Sequence, residues 1–296
     1  MAKQKILIQL DTDAHASVFD AVVAIDAGVE HLLQYSNVKP DDVRGLVHGA
    51  MYTRGPGDLN STAIFVGGSS VAHGEAIAAA ARDTLFDPFR VSIMLDSNGA
   101  NSTAAAAVLC ASSHMDLAGS TSVVLGATGP VGQRVCRILA NAGGRVYVGS
   151  RTLERSKETI LQIANANVDA ERLLMLESEE NDALEAALSH SQAVFACGAA
   201  GVRLLPTIQL IRARSLRVAI DLNAVPPAGI EGIGVMDKGV ERSGRFDYGA
   251  LGVGGLKMKI HKASVASLFE TNTRFLDCDE MLTIGKDIMA RRTFAT

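Results

Sequence analysis

The stretch Thr121–Thr152, TSVVLGATGPVGQRVCRILANAGGRVYVGSRT, constrains this chain more than any other. It opens on a short apolar run, Ser122 to Leu125, rich in β-branched residues and too short for a helix. Glycines follow at Gly126, Gly129 and Gly132, and then Val131, Val135, Ile138 and Leu139 recur at helical spacing until Gly143-Gly144. A second apolar run, Arg145 to Gly149, completes a β-α-β unit of about 30 residues. In such a unit the glycines serve a tight turn, a close backbone approach to a pyrophosphate and close helix-to-strand packing. The helix start adds unpaired N–H groups and the positive end of the helix dipole. Gly126, Thr128, Gly129, Pro130, Val131 and Gly132 are therefore expected to cradle a dinucleotide phosphate, although the spacing is GxxGxxG and not GxGxxG.

The end of the second strand refines this expectation. An acidic residue there would accept from a ribose 2′-hydroxyl and favour NAD. Here Ser150, Arg151 and Thr152 stand instead, with Arg155 beyond them. A guanidinium suits a bidentate hold on a 2′-phosphate, so the cofactor read from these residues is NADP.

The rest of the chain alternates β and α in the same way. Lys5 to Leu10 is expected as a strand, followed by a helix capped by Asp13 or Ser17 with an apolar set at Val18, Val22, Val23, Ile25 and Ala27. Glu30 to Tyr35 reads as strand or helix, Ser61 to Val66 as a strand, Val71 to Leu85 as a helix and Phe89 to Leu95 as a strand. A dense polar turn, Asp96 to Thr103, precedes a strong helix former, with Asn101 or Ser102 as its N-cap. Turns at the carboxyl ends of strands are where open α/β sheets bind ligands, which makes Asp96, Asn98 and Thr103 candidate substrate contacts. After residue 121 further strands are expected at Leu173–Leu176, Ala193–Cys197 and Arg217–Leu222. The loops after them place Cys197, Gly198 and Asn223 near a nicotinamide ribose. Glycines at 249, 252, 254 and 255 give way to a helix with Lys257 and His261 four apart on one face. Last helices are expected at about Lys262–Glu270 and Asp279–Ala290.

This pattern predicts an α/β chain of two domains. An N-terminal α/β substrate domain (1–110 with 269–296, closed by C-terminal helices) accompanies a Rossmann-type NADP-binding domain (111–268), with a cleft between them. With 28 Lys and Arg against 32 Asp and Glu, and no tryptophan, nucleic acid is not the expected partner. Cys110, Cys136, Cys197 and Cys278 are scattered without a CxxC pair, and no histidine stands at ligand spacing, so no metal and no disulfide is expected. The N-terminal apolar run is only a strand long and acids follow it, which predicts a soluble cytoplasmic protein without a membrane segment.

Longer motifs identify a resemblance. DTDAHASVFD, YTRG at Tyr52–Gly55, STAIFVGG at Ser61–Gly68 and MLDSNGANSTAAAA at Met94–Ala107 resemble the NADP-dependent methylene-tetrahydromethanopterin dehydrogenase family of bacterial one-carbon metabolism. GATGPVG, NAVPPAGI at Asn223–Ile230 and GALGVGGLKMKIH at Gly249–His261 extend the likeness over nearly the whole chain. The resemblance implies hydride transfer from the methylene bridge of methylene-tetrahydromethanopterin, and in some members of methylene-tetrahydrofolate, to NADP, leaving the methenyl form. It also implies a homotrimer in which a neighbouring subunit completes the cleft. Carried over by position, the family's active-site phenylalanine falls on Phe19, its threonine on Thr103, its lysine and histidine on Lys257 and His261, and its nucleotide arginine on Arg151. Thr152 stands where a lysine follows that arginine in other members, and NAVPPAG resembles relatives that accept NAD as well. A folate-specific dehydrogenase remains open, since both carriers present the same bridge. A shikimate-type enzyme should show a Lys-Asp pair before Thr121, and none stands out. A non-catalytic NADP sensor is the alternative of another class.

Overall fold

The computed structural model describes residues 3–166 and 168–293. The chain divides into two compact units, residues 1–102 with 258–296 and residues 103–257. Each unit is built on one sheet, and both crossings between units run inside helices, α4 (Ala100–Ser112) and α9 (Ala250–Ser267).

The first unit holds a five-stranded, all-parallel sheet in the order β12-β4-β3-β1-β2. Its strands are β1 (Ile6–Asp11), β2 (His31–Tyr35), β3 (Thr62–Gly67), β4 (Ser92–Leu95) and β12 (Phe275–Leu276). Strands β3 and β4 are buried at every position, as expected of parallel strands covered on both faces. Leu10, Ile64 and Ile93 of the sheet pack with Val43, Val47 and Met51 of α2 (Pro40–Tyr52) and Ile77 and Ala81 of α3 (Val71–Thr84). Burying side chains of this size contributes about 1.5–3 kcal/mol each. Glu30–Tyr35 resolves as a strand, β2, an edge strand whose residues are mostly exposed. Helix α1 (Val18–Asp26) is capped by Ser17, whose hydroxyl accepts from the Asp20 N–H, while Asp13 instead binds the Ser69 N–H and hydroxyl. Of the expected apolar set of α1 only Val23 is buried, with Ala24 beside it; Val18, Val22 and Ile25 are exposed. A helix of nine residues touches its unit along a single narrow stripe.

The second unit holds a seven-stranded sheet in the order β10-β11-β9-β8-β5-β6-β7. Strands β5 (Thr121–Leu125), β6 (Arg145–Ser150), β7 (Leu173–Glu177), β8 (Ala193–Ala196), β9 (Val218–Asp221) and β11 (Arg245–Tyr248) are parallel, and β10 (Lys238–Arg242) is an antiparallel edge. The chain winds outward from β5 in one direction through β6 and β7, then returns to β8 on the other side. The topological switch point therefore lies between β5 and β8, where open α/β sheets bind their ligands. Val123, Leu125, Val194, Ala219, Leu184 and Leu210 form the core on one face of this sheet.

Several expectations are corrected. The strand expected over Phe89–Leu95 begins only at Ser92, because Phe86 and Phe89 bridge each other around the turn at Pro88. Neither Asn101 nor Ser102 is an N-cap; both lie inside α4, and the carboxylate of Asp96 takes over the capping. The glycine-rich run at 249–255 is not a loop before a helix. Helix α9 starts at Ala250 and carries Gly252, Gly254 and Gly255 in its body, then runs on through the segment expected as a separate helix from Lys262. The last helix, α10, spans Cys278–Thr293. A side chain at Gly252 would stand 1.8 Å from the Asp237 carbonyl oxygen, so this glycine lets α9 lie directly on the chain before β10. Gly254 meets nothing within 4 Å. Gly252→Ala should therefore destabilise the protein by about 1–3 kcal/mol through overpacking. Gly254→Ala should stabilise it by about 1 kcal/mol through helix propensity. Urea unfolding of the two variants checks the opposite signs.

Candidate active site

The dinucleotide edge of the second unit is built from backbone. After β5 the chain turns at Gly126 with φ +68°, a left-handed conformation that glycine adopts without strain. A Cβ there would lie 2.6 Å from the Gly198 nitrogen, so the turn after β5 and the loop after β8 touch main chain to main chain. At Gly132 a Cβ would lie 2.7 Å from the Ala127 Cα, which sets helix α5 (Pro130–Asn141) down on the same turn. Gly129 is the N-cap of α5, with Pro130 at the first helical position and no side chain capping the helix. A Cβ at Gly129 would meet the Gly126 carbonyl oxygen at 3.5 Å, an ordinary contact, so this position is less crowded than the other two. A helix start without a side-chain cap and the positive dipole end suit a pyrophosphate. Thr128 and Val131 flank the cradle half-buried, and the Thr128 carbonyl accepts from the Gln133 side chain.

At the end of β6, Ser150 is buried and its carbonyl accepts both the N–H and the hydroxyl of Ser178. Thr152 caps helix α6 (Leu153–Ala164), its hydroxyl accepting from the Arg155 N–H at 3.4 Å. Arg151 and Arg155 are both exposed, and Glu177 pairs with Ser150 at the end of the neighbouring strand β7.

The loops after β8 and β9 are tied to each other. Cys197 is half-buried, and its N–H donates to the Leu125 carbonyl. Asn223 does not present a free amide: its Oδ1 accepts from Gly201 N–H at 3.3 Å and Val225 N–H at 3.0 Å, and its Nδ2 donates to the Pro227 carbonyl at 2.9 Å. Beneath it Asp221, buried, accepts from the N–H groups of Asn223 and Ile230, each at 3.0 Å. Burial raises the Asp221 carboxyl above its ordinary value, against the pull of these backbone donors. Asp221 escaped the sequence reading; its signal is an acid ending an otherwise apolar strand.

The first unit carries a second polar constellation at the carboxyl ends of its strands. Asp96 follows β4, and its side chain is 0% exposed. Its Oδ1 accepts the N–H groups of Asn101 and Ser102, both at 3.0 Å, and its Oδ2 accepts the Ser102 hydroxyl at 2.6 Å. Nδ1 of His261 lies 2.7 Å from the same Oδ2. Asp96 is thus spent on holding protein groups and offers no edge to a substrate. His261 is 1% exposed, with the ring of Phe65 edge-on and Nε2 3.9 Å from Asp20 Oδ1. Burial alone would raise the Asp96 carboxyl, but His261 and the Ser102 hydroxyl and N–H hold it below its ordinary range. Asn98, two residues on, is exposed with φ 53°, and Phe19 is 51% exposed on α1 beside Asp20. Thr103 in the first turn of α4 and Lys257 on α9 are half-buried. The structure brings together Asp20, Asp96 and His261, a grouping the sequence reading did not contain.

Among known proteins, the family model for the N-terminal part of methylene-tetrahydromethanopterin dehydrogenase matches residues 18–98. The chain is 41% identical over 290 residues to the bifunctional protein MdtA of Methylorubrum extorquens, covering 96% of this chain and 99% of that one. It is 33% identical over 264 residues to the NAD(P)-dependent methylenetetrahydromethanopterin dehydrogenase of the same organism, covering 86% of this chain and 88% of that one. Among solved structures, shikimate 5-dehydrogenase from Listeria monocytogenes aligns with a TM-score of 0.55 at 16% identity, covering 97% of this chain and 96% of that one. At such identity the likeness concerns the fold alone. Fold and site define an α/β protein of two units with a dinucleotide-binding edge. By its near-full-length likeness to the curated relatives, the chain belongs to the methylene-tetrahydromethanopterin dehydrogenase family. Among the described residues no helix is long and apolar enough to cross a membrane.

The Asp96 network has a pH signature. A carboxylate whose folded pKa is depressed contributes stability above its unfolded value and loses it as pH falls through the folded one. Asp96→Asn should cost about 3 kcal/mol near neutrality, because it removes the anionic acceptor of several buried hydrogen bonds. The gap to the native protein should narrow as pH drops below 3.8, the ordinary value of this group. Urea melts on both sides of that pH check the sign.

Proposed function

We propose that this protein transfers hydride reversibly from methylene-tetrahydromethanopterin to NADP, giving the methenyl form. The observation that carries this reading is the uncapped helix start at Gly129 with exposed arginines after β6, in a chain of this family. The nicotinamide supplies the hydride acceptor. The methylene carbon sits between two nitrogens that delocalise the charge left behind, so no proton has to be removed and no general base is required. The protein's task is orientation, which can supply up to roughly 7–11 kcal/mol of a barrier.

In this reading the second unit holds the dinucleotide. Phe19 packs on the flat pterin or aryl ring. Asn98 and Thr103 hydrogen-bond the pterin edge, and Lys257 contacts a carrier oxygen or tunes the chemistry nearby. His261 belongs to the same wall through Asp96 and Asp20. Gly126 to Gly132 hold the pyrophosphate, Ser150, Arg151, Thr152 and Arg155 the ribose 2′-phosphate, and the Cys197–Gly198 and Asn223 loops line the nicotinamide ribose. The exposed apolar residues of α1 and the open edge of β2, with Leu33 and Tyr35 exposed, support assembly as a homo-oligomer, a trimer by family resemblance. The proposed location is the cytoplasm.

Purified protein mixed with methylene-tetrahydromethanopterin or methylene-tetrahydrofolate, each with NADP and then NAD, tests the reading by formation of reduced nicotinamide. Turnover with the methanopterin carrier and NADP is expected. Turnover confined to the folate carrier would reassign the substrate, and silence from protein that still binds NADP would leave a nucleotide sensor. Arg151→Ala should raise the KM for NADP about 10–100-fold, the worth of a charge-assisted hydrogen bond, and leave the KM for NAD unchanged. Lys257→Met should lower kcat more than it raises KM if the ammonium tunes the reaction; the reverse split marks a binding residue.

A further inference from the structure

We propose that Asp221 is a positioning residue for hydride transfer: its carboxylate fixes where the nicotinamide half of the dinucleotide lies relative to the phosphate turn. The inference rests on the reading that the loops after β8 and β9 line the nicotinamide ribose. Asp221 ends β9 and is 2% exposed. Its Oδ1 accepts the Asn223 N–H and its Oδ2 the Ile230 N–H, each at 3.0 Å. One carboxylate therefore holds both stems of the loop 223–230, the outgoing limb by one oxygen and the returning limb by the other. The returning limb also lies directly on it. A Cβ at Gly229 would stand 2.7 Å from Asp221 Oδ1 and 3.3 Å from the Ala196 Cβ at the end of β8.

The loop after β8 is strung on the loop after β9. The Gly229 carbonyl accepts the N–H groups of Leu204 and Leu205 at 2.8 and 3.0 Å, and the Leu205 carbonyl accepts the Glu231 N–H at 2.9 Å. Asn223 Oδ1 accepts the Gly201 N–H at 3.3 Å. At its other end the loop after β8 reaches the phosphate turn, where a Cβ at Gly126 would lie 2.6 Å from the Gly198 nitrogen. Contacts thus run from Asp221 through the loops 223–230 and 197–205 to Gly126. Loosening either stem at Asp221 shifts both loops, whereas the turn at Gly126 and the arginines after β6 keep the support of their own strands. The residue therefore acts on the nicotinamide half of the cofactor and not on its adenosine half. It does so without touching the reacting atoms, since it binds main-chain N–H groups beneath the loop. Hydride transfer is sensitive to such a shift. The reacting atoms must meet at about 3–3.5 Å, and a displacement of about 1 Å can cost a factor of about 100.

The test starts from Asp221→Asn, which keeps the size of the side chain but turns one acceptor into a donor, so that one stem loses its bond. Single-turnover hydride transfer from methylene-tetrahydromethanopterin at saturating NADP should slow about 10–100-fold. Calorimetry should show NADP bound about tenfold more weakly. Affinity for adenosine 2′,5′-bisphosphate, which lacks the nicotinamide half, should stay unchanged. Amide hydrogen exchange should quicken over 198–205 and 223–230 and stay as it is in α5. Gly229→Ala pushes the returning limb off the same carboxylate; it should reproduce this pattern, and it decides the matter if the asparagine variant does not fold. Equal loss of affinity for NADP and for the bisphosphate, or an unchanged transfer rate, would overturn the proposal alone. Absence of NADP binding or of turnover in the native protein would overturn the functional reading, and the proposal with it.

Discussion

The carboxylate of Asp96 is the interaction on which the first unit's functional surface depends. One buried side chain ends β4, caps the first turn of α4 through two N–H groups and fixes the ring of His261 on α9. Asn101 reinforces the joint by donating its amide to the Leu95 carbonyl, and Ser97 by donating its hydroxyl to the Gly67 carbonyl. A buried anion is stable only when its lone pairs are filled, and here four donors fill them. The positions of helix, strand end and imidazole are therefore not independent of one another.

In the second unit the corresponding constraint is close approach of backbone. Gly126 and Gly198 meet with no room for a side chain, and Gly132 rests on Ala127. Gly129 is the one glycine of its triplet where an added Cβ would meet only ordinary contacts. Two of the glycines are required by packing, although all three look alike in the sequence. Asp221 and Asn223 then stiffen the far side of the same edge by binding the loop after β9 from within. A loop whose polar groups are already paired meets its ligand in a fixed shape, which lowers the ordering cost of binding.

Much of the architecture was legible from residue pattern. The β-α-β unit, the sequence of strands from Thr62 to Asp221 and the capping by Ser17 follow from periodicity and short-range hydrogen bonding, and these act within a few residues. Reading failed where a distant contact overrides local preference. The glycines of α9 read as a loop because glycine is a poor helix former, yet Gly252 is tolerated in the helix since only glycine fits against Asp237. The apolar residues of α1 read as core, yet most of them remain exposed in the single chain.

By itself, then, the sequence determined the fold class, the dinucleotide turn, the basic end of β6 and, through its longer motifs, the family. Each of these is written in contiguous residues, where chain geometry alone places the groups. Only the tertiary structure decided which polar residues act together. Asp96 and His261 are 165 positions apart, and Asp20 reaches the same ring from a third element. A buried ion cluster forms where desolvation is offset by partners converging from several elements, and one residue pattern is compatible with many such convergences. The packing of the first unit selects one of them, and with it the role of each acid.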